Sequence, residues 1–209
     1  MTTGRFIAFE GIEGSGKSTQ IARLAGALAA RGVEVVRLRE PGGTGLGDRI
    51  RAILLDAGEV GMRPEAEMYL FAASRAQLVQ TAVEPALARG AWVLCDRFVY
   101  SSLAYQGHAR GLGRDRVLRA NADAATRLPD LVVLMDLPVA ASLARAAARG
   151  SLDRFEQEGA EFHEAVRRGF LAERDQDPDR FATVAADDAE EAVTASVLAA
   201  VLPLLDAAP

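Results

Sequence analysis

Cysteine is nearly absent from this chain. Cys95 is the single one among 209 residues, which excludes an internal disulfide and a zinc-cysteine cluster and fits a reducing compartment. Histidine is almost as scarce: the two, His108 and His163, are too few and too isolated to found a metal site. No apolar run approaches the roughly 20 residues that a membrane span needs, and the N-terminus lacks the basic, apolar, small-residue pattern of a signal peptide. A cytoplasmic protein with no membrane partner is therefore expected. Nor is there an excess of positive charge. With Lys+Arg 24 against Asp+Glu 29, the net charge is −5, so no general nucleic-acid surface is expected, and any anion site has to be a local concentration of arginine. The substrate is then small rather than polymeric. Internal repeats and long polar linkers are missing too, and composition nowhere shifts enough to mark a domain boundary.

What is present is ordinary globular composition, 50% hydrophobic and 25% charged, in a length that suits one α/β domain with an ample core. The chain is organised around residues 11 to 18, Gly11-Ile12-Glu13-Gly14-Ser15-Gly16-Lys17-Ser18, which fit the G-x-x-x-x-G-K-[ST] phosphate-binding loop. Phe6-Ile7-Ala8-Phe9 before it has strand character, and Ile21, Leu24, Ala25 and Leu28 after it recur at helical spacing. Glycines let the backbone curl until its N–H groups converge, and the new helix adds its positive end, so a polyphosphate is the natural guest. Lys17 is placed to reach its β- and γ-phosphates and the Ser18 hydroxyl to ligate a bridging Mg²⁺. Glu13 is the odd member: a carboxylate beside phosphate is repelled by about 4 kcal/mol per close charge at an effective dielectric of 20. It has to face a metal-bound water, an arginine, a substrate proton, or solvent.

Further along, Val33 to Leu38 reads as a second strand, followed by the tight loop Arg39-Glu40-Pro41-Gly42-Gly43-Thr44 and a helix carrying Ile50, Ile53, Leu54, Arg49 and Arg51. A loop leaving a parallel strand's carboxyl end is where doubly wound sheets bind ligands. Residues 65 to 89 read as one long helix that Pro85 interrupts late. On it Phe71 and Arg75 share a face, able to stack a flat base and bond its edge, although on pattern alone a core Phe and a surface Arg are the commoner outcome. Trp92 to Cys95 is a third strand, ending at Asp96-Arg97, where Asp96 can hold a metal water and Arg97 can fork onto phosphate. Tyr100 to Gln106 brings hydroxyls and an amide near that pair. Leu131 to Asp136 is an unbroken apolar strand of the doubly covered kind. Pro138 starts a helix with Arg145 and Arg149. A glycine-flanked polar flap, Ser151 to Glu158, follows, then a helix from Phe162 to Asp175, a strand from Phe181 to Val184 and a closing helix from Ala189 to Leu205. Strands alternating with helices predict a five-stranded parallel sheet covered on both faces.

Taken together, Phe9 through Ser18, Arg39 through Thr44, Leu70 through Gln77, Asp96-Arg97, Ala104 through Gly107 and Leu152 through Glu156 resemble the thymidylate kinases nearly end to end. These P-loop nucleoside monophosphate kinases make dTDP from dTMP with ATP and Mg²⁺. The resemblance implies one kinase domain over 1–209 with a lid at about 149–160. It implies ATP binding by Gly11, Ile12, Glu13, Gly14, Ser15, Gly16, Lys17, Ser18 and Thr19, and metal binding by Ser18, Glu13 and Asp96. For dTMP it implies Glu40, Pro41, Arg51, Phe71, Arg75, Arg97, Ser102, Tyr105 and Gln106, with Phe71 stacked on thymine and Tyr105 where a ribose 2′-hydroxyl would crowd. A phosphate loop without arginine resembles the bacterial type, whose catalytic cations come from the lid. The catalytic set is then Glu13, Lys17, Arg97, Arg149 and Arg154. Ala147 stands where some bacterial relatives carry another lid arginine, and Phe98 where an aromatic hydroxyl is frequent. Relatives are generally homodimers, so a homodimer is expected. Another nucleoside or nucleotide kinase on the same scaffold, or a nucleotide-dependent switch, is the competing reading. Against the switch, no guanine-reading N-K-x-D segment is evident.

Overall fold

The computed structural model describes residues 4–58, 61–150 and 153–205, with Arg149 through its backbone alone. Five strands, β1 Phe6–Glu10, β2 Val35–Arg39, β3 Trp92–Asp96, β4 Leu131–Asp136 and β5 Phe181–Ala185, form one parallel sheet in the order β2-β3-β1-β4-β5. All of β1 is buried, and β3 and β4 are buried up to their final aspartates. Strands of this kind need cover on both faces, which is why their sequences run apolar without alternation. The register pairs Phe9 with Asp96 on one side and with Val133 on the other. The carboxyl ends of β1 and β3 therefore open side by side at the point where the connections diverge, and ligands of doubly wound sheets bind there.

The first helix, α1 Lys17–Ala29, buries Ile21, Leu24 and Leu28. Next come α2 Gly45–Leu55, whose first turn is capped by the Thr44 hydroxyl accepting from Gly47 N at 2.9 Å, and α3 Pro64–Leu78 with proline in its first turn. The single helix expected over 65–89 is interrupted. After α3 a π-helical turn spans Val79–Val83, and α4 runs Glu84–Ala88. Pro85 has no N–H to give and its ring crowds the carbonyl four residues back, so widening the preceding turn accommodates it without ending the helix.

Residues 100–106, which the sequence leaves as a polar stretch, are helical: α5 Val99–Ser102 passes into a π-helix over Leu103–Ala109. A further helix, α6 Arg114–Asn121, has no counterpart in the sequence reading, because Val117 is its one buried apolar residue and no periodicity shows. The remaining helices are α7 Val139–Arg149, α8 Ala160–Gln176 and α9 Glu190–Val201, after which a 3₁₀ turn completes the segment expected as helix. Helix α8 lies directly on the π-helix. At Gly169 a Cβ would stand 2.9 Å from Ala104 Cα and 3.0 Å from His108 Cβ, so only glycine permits this approach. Among the described residues no helix is long and apolar enough to cross a membrane.

Candidate active site

A cavity of about 640 Å³ opens at the carboxyl ends of β1 and β3. One wall is the phosphate loop, from Glu13 to Thr19. Its start depends on Gly11, at φ 136, where a Cβ would sit 2.4 Å from the Met135 carbonyl oxygen. Lys17 Nζ donates to Gly11 O at 3.0 Å, Ile12 O at 2.9 Å and Ser15 Oγ at 3.2 Å. Burial, reinforced by the nearby Arg97 cation, pushes its pKa down to about 8. Ser18 Oγ donates to Asp96 Oδ2 at 2.7 Å, bringing together two of the three residues expected at a metal. An alcohol and one carboxylate suit Mg²⁺, which takes its other ligands from water and substrate phosphates.

The third, Glu13, is engaged elsewhere. Its Oε1 accepts from Arg97 Nη2 at 2.9 Å and from the Tyr105 hydroxyl, while its Oε2 lies 3.5 Å from His163 Nδ1. Of the partners considered for this carboxylate, an arginine is the one at hand. Burial raises the Glu13 pKa, but Arg97, His163, Lys17 and Tyr105 together outweigh it and hold the group below the usual carboxylate range.

Arg97 is the pivot of the site. It stands at φ 73, a left-handed conformation costly for a residue with a side chain. Its Nη1 donates to Gly11 O at 2.9 Å and Ser101 Oγ at 3.1 Å. The turn is held from behind by Glu10 at the end of β1, whose Oε1 accepts from Phe98 N at 2.8 Å and Ser101 N at 3.2 Å and whose Oε2 accepts from Ser101 Oγ at 2.6 Å. Burial pushes the Glu10 pKa up to about 7 despite Ser101 and Arg97.

The facing wall carries Arg39, Glu40, Pro41, Arg51, Phe71, Tyr105 and Gln106. Arg51 Nη1 donates to Pro41 O at 3.0 Å. Arg75 is no surface residue: it is 1% exposed and lies behind the wall. Its Nε donates to Glu40 Oε2 at 2.8 Å and its Nη1 to Ser102 Oγ at 3.0 Å and to Asn121 Oδ1. Burial raises the Glu40 pKa to about 6 against the pull of Arg75, which leaves a carboxylate at neutral pH. Among the described residues, Glu40 Oε1 and Gln106 Oε1 are buried acceptors without a partner.

Between the two walls stand Arg145, Asp153, Phe155 and Glu156. Arg145 Nη1 donates to Gly14 O at 2.9 Å and its Nη2 to Ala186 O at 3.2 Å. Phe155 fits between Phe71, with ring centroids 5.9 Å apart, and Tyr105, at 5.6 Å. Arg154, expected among the lid cations, is not among the residues that line the cavity; its Nε donates to Leu54 O at 2.9 Å and its Nη1 lies 2.8 Å from the buried Glu67 Oε2. The side chain of Arg149 lies outside the described residues, as do Ser151 and Leu152. Sequence reasoning passed over Glu10, Ser101 and Asn121; a carboxylate closing an otherwise apolar strand was the one available signal.

A sequence model of the thymidylate kinase family matches residues 9–197 of this chain. The thymidylate kinase of Geobacter sulfurreducens is 53% identical over 206 residues, covering 95% of this chain and 96% of that protein. That of Pseudomonas fluorescens is 52% identical over 183 residues, covering 87% of each. Among solved structures, the thymidylate kinase of Ehrlichia chaffeensis superposes with a TM-score of 0.78 at 30% identity, covering 94% of this chain and 98% of that one.

Proposed function

This chain belongs to the thymidylate kinase family, and from that premise we propose that it transfers the γ-phosphoryl group of ATP to the 5′-phosphate of dTMP, giving ADP and dTDP. The observation that carries the reading is the two-walled cavity, with a phosphate loop on one side and an arginine-bearing wall with Phe71 on the other. An acceptor phosphate oxygen forms the new bond to the γ-phosphorus as the bond to the β-bridging oxygen breaks, so the chain's task is alignment and charge neutralisation. The loop amides from Gly11 to Thr19 and Lys17 hold the donor. Ser18 and Asp96 would hold Mg²⁺, which would offset the charge of the donor phosphates. Glu13 keeps Arg97 aimed, and Arg97 with Arg51 fixes the acceptor phosphate. Phe71 stacks on the base, Tyr105 closes the sugar side, and the Arg75–Glu40–Ser102 group with Pro41 and Gln106 shapes the base pocket.

The lid, over about 149–160, contributes cations as charge builds in the transition state. Arg149 and Arg154 are the expected pair; Arg145, on α7 ahead of that segment, lines the cavity. The whole of 1–209 acts as one domain, in the cytoplasm and as a homodimer. For the homodimer, the support is exposed apolar surface. Leu46 and Ile53 on α2, Tyr69 on α3 and Leu118 on α6 are 36% to 59% exposed, on helices that pack in succession. The reaction is tested by measuring ADP release with ATP, Mg²⁺ and, separately, dTMP, dUMP, UMP, AMP and thymidine. Release that is fastest with dTMP supports the assignment; preference for another acceptor means the base pocket is misread.

A further inference from the structure

Glu67, in the first turn of α3, is a carboxylate with 1% exposure that no part of the proposed reaction uses. Three groups from two other segments converge on it. Gln106 Nε2 donates to Oε1 at 2.8 Å, Arg154 Nη1 lies 2.8 Å from Oε2, and Arg110 reaches both oxygens at 3.5 and 3.4 Å. Arg110 in turn pairs through Nη1 with Glu158 at 2.6 Å and stacks on Phe162 at 4.5 Å. The segment 153–158 is thus fastened by side-chain ion pairs from Arg154 to Glu67 and from Glu158 to Arg110, besides the bonds of Arg154 to Leu54 O and Leu55 O. Between them Phe155 is seated against Phe71 and Tyr105.

The same contacts settle the orientation of an amide. Because a carboxylate accepts only, the Gln106 group beside it has to be the NH₂, which leaves Oε1 as a buried acceptor without a protein partner on a side chain that lines the cavity. Without the carboxylate, that amide loses its orienting partner. Arg154, 12% exposed, would then lose its Glu67 partner, and Arg110, 18% exposed, would keep Glu158 as a carboxylate partner.

We propose that Glu67 is a positioning residue that joins acceptor recognition to lid docking: one buried carboxylate fixes the amide of the cavity-lining Gln106 and anchors segment 153–158 through Arg154. The inference rests on the proposed function for the identity of the acceptor, dTMP, and on the contacts alone for the anchoring.

The test is Glu67→Gln, which keeps shape and removes charge, in the full-length protein. Steady-state kinetics should show KM for dTMP raised at least about tenfold, the scale of a lost charge-assisted hydrogen bond, with KM for ATP within about twofold of the parent. Hydrogen exchange of segment 153–158, followed by mass spectrometry without any nucleotide, should quicken at least about tenfold. Gln106→Leu should reproduce the rise in KM for dTMP and leave the exchange rate unchanged. Should Glu67→Gln fail to fold, Arg154→Met reads the anchor instead, by faster exchange over 153–158. Unchanged exchange in either anchoring variant, or equal rises in both KM values, would overturn the proposal. Absence of dTMP turnover in the parent would count against the proposed function, and the exchange measurement would still decide the anchoring.

Discussion

Arg97 occupies a left-handed conformation at the mouth of the cavity, and the buried Glu10 carboxyl is what holds it there. That placement has a pH signature. The Glu10 pKa is raised from 4.5 to about 7, so between those values the folded protein binds more protons than the unfolded chain, and stability falls as pH rises through the window. The contribution is complete below the unfolded value and gone above the folded one. Glu10→Gln removes the titration while its amide oxygen still accepts from Phe98 N and Ser101 N. In urea unfolding, the parent should lose on the order of 2 kcal/mol relative to the variant between pH 4.5 and 7.5; parallel pH profiles would refute the role. Residues of this kind were hidden in the sequence because their partners are remote. Glu10 meets Ser101 across 91 positions and Arg75 meets Asn121 across 46, whereas the phosphate loop is legible because its parts are contiguous. Arg75 shows the same limit: helical spacing places it on the face of Phe71 without saying that the face is buried.

At the scale of elements, the strands were legible almost to their ends. The apolar runs of β1, β3 and β4 reflect burial on both faces, and Leu131–Asp136 has the bounds its sequence suggested. The helices around the cavity were harder. The π-helix over Leu103–Ala109 packs against α8, a contact that local periodicity does not reveal, and it carries Tyr105 and Gln106, which line the site. Gly169 controls that contact. Gly169→Ala gains helix propensity of roughly 1 kcal/mol, but its methyl would press on Ala104 Cα at 2.9 Å, a backbone atom that cannot turn aside. The expected net effect is destabilisation by about 1–2 kcal/mol in denaturant unfolding, with KM for dTMP raised through displaced Tyr105 and Gln106. A variant more stable than the parent would show that the helices do not meet as described.

For the whole molecule, a parallel sheet covered on both faces followed from the alternation of strands and helices, while its strand order and the apolar surface on α2, α3 and α6 were not visible in the sequence at all. Light scattering should give a mass of twice 22.2 kDa, and Tyr69→Glu, which places a charge on the most exposed of those apolar side chains, should shift it toward the monomer. The central claim is that phosphate moves from the loop-bound donor to a nucleotide on the opposite wall and not to water. It is tested most directly by following radioactive phosphorus from the γ-position of ATP in a reaction with dTMP and Mg²⁺. Label appearing in dTDP in step with ADP is the predicted result, and label appearing as inorganic phosphate at a rate indifferent to dTMP would contradict it.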